Sequence, residues 1–150
     1  AEGKIVISTN FIPNDYEINA IFISNEKRLG ILDLGVAERV IATSNLKGAI
    51  KNALFFNYAS LLGEGDASDN AGAMLIRILK KAGAKKIYLA GFDGFDVNSS
   101  ENYAVATFKK SIDFNTARKK NIDISKQLKL ALNGVDYEIL TPTKYEIDNI

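Results

Sequence analysis

Cysteine and histidine are both missing from this chain of 150 residues. Without cysteine there are no disulfides, no thiolate nucleophile and no thiolate metal site, a composition compatible with a reducing cytoplasm. Without histidine the chain lacks the side chain most used for proton transfer near neutral pH and the commonest metal ligand. Long apolar runs are missing too. No membrane span is visible, and no charged stretch precedes an apolar one at the start as in a signal peptide. A one-signed field is also lacking: 19 basic against 18 acidic residues leave a net charge of +1, too little to hold nucleic acid or an anionic membrane. The expectation is a cytoplasmic protein with no nucleic-acid or membrane partner, whose basic sites, if any, are local.

What is present reads as one α/β domain. At 47% hydrophobic content the chain can bury the core of one ordinary domain. Strands are expected near 4–8, 20–24, 39–43, 53–58, 86–91 and 136–141, and helices at 69–82 and 123–133. In the first helix Ala71, Leu75, Ile78, Leu79 and Ala82 recur at helical spacing, with Arg77, Lys80 and Lys81 on the other side. Gly83 closes it in a left-handed turn, and Ile87, Tyr88, Leu89 and Ala90 read as a strand buried on both faces. The second helix carries Ile124, Leu128, Ala131 and Leu132 on one face, a cap at Asp123 or Asn121, and Gly134 past its end. Residues 26–38 fit a short helix or an irregular turn equally well. Strands alternating with helices argue for a mostly parallel sheet with helices on both faces, a three-layer Rossmann-like sandwich.

Ligands of open α/β sheets sit beyond the carboxyl ends of the strands, which directs attention to three loops. Gly63, Gly65, Ser68, Asp69 and Asn70 lead into Ala71 and Gly72 at a helix start, where free N–H groups favour an anion. Glu64, Asp66 and Asp69 oppose one, the spacing is neither a Walker loop nor a dinucleotide fingerprint, and a capped loop without special function is the competing reading. The tip GFDGFD carries Asp93 and Asp96 after the apolar run; they can hold a ribose hydroxyl, a Mg²⁺ ion or a proton in transit, or simply shape a turn over Phe92 and Phe95. Between 109 and 120, Lys109, Lys110, Arg118, Lys119 and Lys120 face one acid, Asp113, as a phosphate site or a wet surface. Tyr88, Tyr103 and Phe108 read as packing residues, since no regular basic and aromatic interleaving accompanies them.

The stretch NAGAMLIRILKKAGAKKIYLAGFDGFD (70–96) resembles the central block of bacterial sialyltransferases that use CMP-sialic acid, and of pterin-kinase-like nucleotide-binding proteins. DYEINAIFISNEKR (15–28) and NIDISKQLKLALNGVDYEILTPT (121–143) look like their early strand and their last helix and strand. That resemblance implies a nucleotide pocket lined by Asn10, Asn25, Asn70, Gly72 and Asp93. Those transferases rely on a histidine just before the last helix; here the region reads TARKKNIDI, with Arg118 near that place, so their general base has no counterpart.

A closer likeness, through the run A-G-F-D-G and the following E-N-Y at Glu101 to Tyr103, is to the C-terminal domain of 4-hydroxy-2-oxovalerate aldolase-like proteins of the HMG-CoA-lyase-like superfamily. It implies a parent enzyme that makes or breaks a carbon–carbon bond with a divalent metal in a (β/α)₈ barrel. Such a barrel needs ~250 residues and lies outside this chain. The start on Ala1, Glu2 and Gly3 without methionine fits an excised domain. The expectation that follows is an accessory domain, not catalytic alone, that holds a nucleotide or sugar phosphate through Asn10, Asn25, Asn70, Gly72, Asp93 and Arg118. The sequence demands no cofactor and leaves the identity of any cofactor open, a divalent metal belonging to the barrel, and the expected partners are the domain's own N-terminal barrel or a second copy of itself. A nucleotide-sugar-dependent glycosyltransferase and a docking or oligomerisation domain with no ligand are the alternatives.

Overall fold

The computed structural model describes residues 3–36, 38–96 and 112–147, and the chain divides into two compact units, Ala1–Leu62 and Gly63–Ile150. The first is built on four strands, β1 (Ile7–Thr9), β2 (Ala20–Ile23), β3 (Val40–Thr43) and β4 (Leu54–Phe56). They lie side by side in chain order, and every neighbouring pair is parallel. Register places Ile7 beside Ala20, Ile21 beside Val40 and Ile41 beside Leu54.

No α-helix connects these strands among the described residues. The connections carry 3₁₀ turns at Glu26–Arg28, Leu34–Val36 and Ser44–Leu46, with a further one, Ala59–Leu61, after β4. Pro13, Gly30, Gly35 and Gly48 interrupt these short connections, and proline and glycine are the residues least favourable inside a helix. The ambiguous stretch 26–38 thus resolves into two single turns. Asn25 caps one by accepting the Lys27 N–H at 3.0 Å, and Asp33 accepts the Gly35 N–H at 3.0 Å beside the other.

In β2 all four residues are buried, the continuous apolar run of a strand covered on both faces. Ile21 and Ile23 join Ile18, Ala42, Leu46 and Ile50 in one core, while Ala20 and Phe22 are buried on the opposite side.

The second unit holds α1 (Ala71–Lys81), β5 (Lys86–Leu89), α2 (Phe114–Leu132) and β6 (Asp136–Ile139). β5 and β6 pair in parallel with Ile87 beside Tyr137. Ala73 and Ile76 of α1, Ile87 and Leu89 of β5, and Ile124, Leu128, Ala131 and Leu132 of α2 form its core. Gly83, at φ 85°, turns the chain out of α1 as expected; its N–H donates to the Lys80 carbonyl, and that of Ala84 to Leu79.

Two expectations need correction here. β5 is not buried on both faces: Ile87 and Leu89 point inward, while Lys86 and Tyr88 are exposed. Its sequence alternates with period two, as does Asp136–Ile139, so one face of this pair is polar. On that face Lys86 meets Glu138 at 3.0 Å, and its ammonium stands 5.1 Å from the Tyr88 ring centroid. Second, α2 starts near 114 rather than 123, because its cap is Asp113, which accepts the Thr116 N–H at 3.1 Å.

Candidate functional site

Parallel strands end at a common edge, and in the first unit that edge is lined with asparagine. β1 is followed by Asn10, β2 by Ser24 and Asn25, β3 by Ser44 and Asn45, and β4 by Asn57. Asn10 stands at φ 54°, in the left-handed region that asparagine tolerates better than most residues. Its N–H donates to the Phe22 carbonyl at 2.9 Å, tying the tip of β1 to β2. Its side-chain oxygen accepts the Ser24 N–H at 3.5 Å, as those of Asn25 and Asn57 accept the N–H of Lys27 at 3.0 Å and Ser60 at 3.4 Å.

A backbone N–H can only donate, so it is the amide oxygen that is used at all three positions, and each NH₂ group is left as a donor. Asn45 is turned the other way: its Nδ2 donates to the Ser24 carbonyl at 3.4 Å, and its oxygen remains as an acceptor. Beside it the Ser44 hydroxyl accepts the Tyr58 N–H at 3.0 Å. The Thr43 hydroxyl, at the end of β3, is buried without a hydrogen-bond partner. The edge therefore offers both amide donors and an amide acceptor on adjacent strands, the complement of sugar hydroxyls, base edges and phosphate oxygens. Asn45 and Asn57 escaped the sequence reading. The repeated ending S-T-N, I-S-N, T-S-N, F-F-N was the signal that could have found them.

In the second unit the tip after β5 is held from two elements. The Gly91 N–H donates to the Thr141 hydroxyl at 2.9 Å, and the Asp93 carbonyl accepts the Lys144 N–H at 2.8 Å. Asn121 of α2 clamps Phe95 from both sides, its oxygen accepting the Phe95 N–H at 2.8 Å and its Nδ2 donating to the Phe95 carbonyl at 2.9 Å. Asp93 is exposed, and its carboxylate has no partner among the described residues. Asp96 instead pairs with Lys144 at 2.7 Å.

The start of α1 and the tip after β5 touch through Gly72 and the Phe92 ring. A Cβ on Gly72 would lie 2.6 Å from Cε1 of Phe92 and 2.9 Å from its Cζ. Gly72 therefore gives room to an aromatic ring rather than to a phosphate. Asn70 is equally occupied, since its side-chain oxygen caps α1 by accepting the Ala73 N–H at 3.0 Å. Gly63 packs as closely, against the Gln127 side chain, which Arg77 holds at 2.9 Å. The acids of this loop are partly answered: Lys119 meets Asp66 at 2.6 Å, drawing its carboxyl below the usual range and being itself drawn up in return.

Of the basic cluster, Lys119 is thus engaged and Lys120 lies 5.0 Å from the Phe95 ring centroid. Arg118 is exposed, with no partner among the described residues, and borders a recess of about 420 Å³ together with Phe95, Asp96, Lys144 and Glu146. Lys109, Lys110, Tyr103, Phe108 and Glu101 lie outside the described residues. Among the described residues no helix is long and apolar enough to cross a membrane, and no group of three or more Asp or Glu is placed to hold a metal. Of the six residues expected to bind ligand, Asn10 and Asn25 belong to the first unit and Asn70, Gly72, Asp93 and Arg118 to the second. No family model matches the chain, and no curated protein or solved structure matches it either.

Proposed function

We propose that this chain is an accessory α/β binding module, not catalytic by itself, that takes a nucleotide or sugar phosphate at the carboxyl edge of its parallel strands. One observation carries the reading: four consecutive parallel strands are each followed within two residues by an asparagine, and the NH₂ groups of three of these have no partner among the described residues. That edge is where open α/β sheets bind ligands, and neutral amides read hydroxyl, carbonyl and phosphate oxygens alike. A Rossmann-like three-layer architecture, and a parent resembling the 4-hydroxy-2-oxovalerate aldolase-like proteins, are the finer setting we give it. The non-catalytic part of the reading is supported by chemistry. Neither histidine nor cysteine exists to act as base or nucleophile, Asp96 is tied to Lys144, and the exposed Asp93 carboxylate has no partner among the described residues to pass a proton to.

Titration with CMP, CDP, CMP-sialic acid and sugar phosphates, read by thermal shift, tests the proposal. A ligand that binds only the folded chain stabilises it by about 2.7 kcal/mol at a hundred times its Kd. The melting temperature is expected to climb with concentration in the wild type and to stay flat in Asn25→Ala and Asn45→Ala. A flat response to all four ligand types in the wild type would overturn the binding reading, and turnover of CMP-sialic acid would overturn the non-catalytic one.

A further inference from the structure

We propose that the second unit carries a separate recess for a small zwitterion with an apolar side chain, of which an apolar α-amino acid is the simplest form. The recess measures about 420 Å³, within the range of roughly 300–1,000 Å³ usual for small-molecule sites. Phe95, Phe114 and Ile122 give it apolar walls. Phe114 is 59% and Ile122 37% exposed, so a guest resting on them removes hydrocarbon from water. Phe95 is fixed in place by the two-sided clamp of Asn121, which makes that wall a preformed one.

The charges decide the class of guest. Four ionic side chains line the recess, Asp96, Arg118, Lys144 and Glu146, and two of them, Asp96 and Lys144, satisfy each other at 2.7 Å. That leaves the Arg118 guanidinium and the Glu146 carboxylate, neither of which has a side-chain partner among the described residues, nor do they pair with each other. A phosphate dianion would leave Glu146 facing a like charge, and a plain amine would leave Arg118 facing one. A molecule carrying one charge of each sign satisfies both groups at once: its carboxylate meets the forked guanidinium, its ammonium meets Glu146, and its side chain lies against the rings. This site is independent of the asparagine edge, so either can fail without the other.

Isothermal titration of the full chain with L-phenylalanine and L-leucine tests it, with N-acetyl-L-phenylalanine lacking the ammonium and phenethylamine lacking the carboxylate as controls. Saturable binding of phenylalanine is expected, weakened about tenfold or more by either control, by Arg118→Ala and by Glu146→Gln, as loss of a charged hydrogen bond implies. Asn25→Ala should leave it unchanged, and circular dichroism confirms that the variants, all at exposed positions, are folded. The proposal is overturned if neither amino acid binds, if N-acetyl-L-phenylalanine binds as well as phenylalanine, if Arg118→Ala and Glu146→Gln leave the affinity intact, or if inorganic phosphate displaces the amino acid.

Discussion

At the scale of single residues, small side chains in this protein make room for aromatic and amide groups. Gly72 shows it best. Its position on α1 brings the missing Cβ within 2.6 Å of the Phe92 ring, closer than carbon atoms approach without displacement, so Gly72→Ala must push the ring away. Overpacking of this kind costs about 1–3 kcal/mol, against a helix propensity that alone would favour alanine over glycine by about 1 kcal/mol. Gly72→Ala is therefore expected to lower the melting temperature, and Phe92→Leu in the same chain to recover part of the loss. If Gly72→Ala melts higher than the wild type, the ring does not constrain the position and propensity wins. Asn70 and Asn25 tell a related story. Each was read as a ligand contact, yet each spends its side-chain oxygen on a backbone N–H at the start of a turn or helix, and only the amide nitrogen remains for a guest.

Among the elements, α2 has the chemistry most open to measurement. Its cap Asp113 accepts from the Thr116 hydroxyl and from the Thr116 N–H, and these bonds hold its carboxyl below the usual carboxylate range. A carboxyl whose folded pKa is lowered stabilises the fold above its unfolded pKa, near 3.9, and gives that contribution up as pH falls through the folded value. Asp113→Asn keeps an oxygen for the cap and has no proton to gain. The stability advantage of the wild type over this variant should therefore shrink as pH is lowered from 7 to below 3, followed by thermal melts of both proteins. Parallel pH profiles would show that the ionised form contributes nothing. The start of this helix was not legible in the sequence for a physical reason: from Phe114 to Ile122 only Ala117 is buried, so no apolar stripe marks the first two turns. Where a stripe exists the element could be read, as for α1 and for all six strands, whose expected positions each contain or overlap the observed ones. The 3₁₀ turns were not legible because three residues hold no period, and the covering of Tyr88 was misjudged because an aromatic ring with a hydroxyl is as content at a wet surface as in a core. The asparagine edge was half legible, through Asn10 and Asn25. Asn45 and Asn57 acquire meaning only when parallel pairing sets the strand ends in a row.

For the whole molecule, the division at Leu62 and Gly63 sets how stability and function are distributed. Each unit owns a core: Ile18, Ile21, Ile23, Ala42, Leu46 and Ile50 in the first, and residues of both helices and β5 in the second, with Tyr137 and Ile139 of β6 packed against them. Ile23 and Leu128 are both fully buried, and truncating either to alanine costs about 2–5 kcal/mol through lost transfer energy and the cavity left behind. Where those kilocalories appear depends on whether the units open separately, because native-state hydrogen exchange reports the free energy of the smallest cooperative opening that exposes each amide. With separate cores, Ile23→Ala is expected to speed exchange in residues 3–62 and to spare 63–147, and Leu128→Ala to do the reverse. If each substitution instead accelerates exchange by the same factor throughout the chain, the 150 residues open as one cooperative block. The same measurement separates the two binding proposals, since a guest at the asparagine edge protects amides of the first unit and one in the Arg118 recess those of the second.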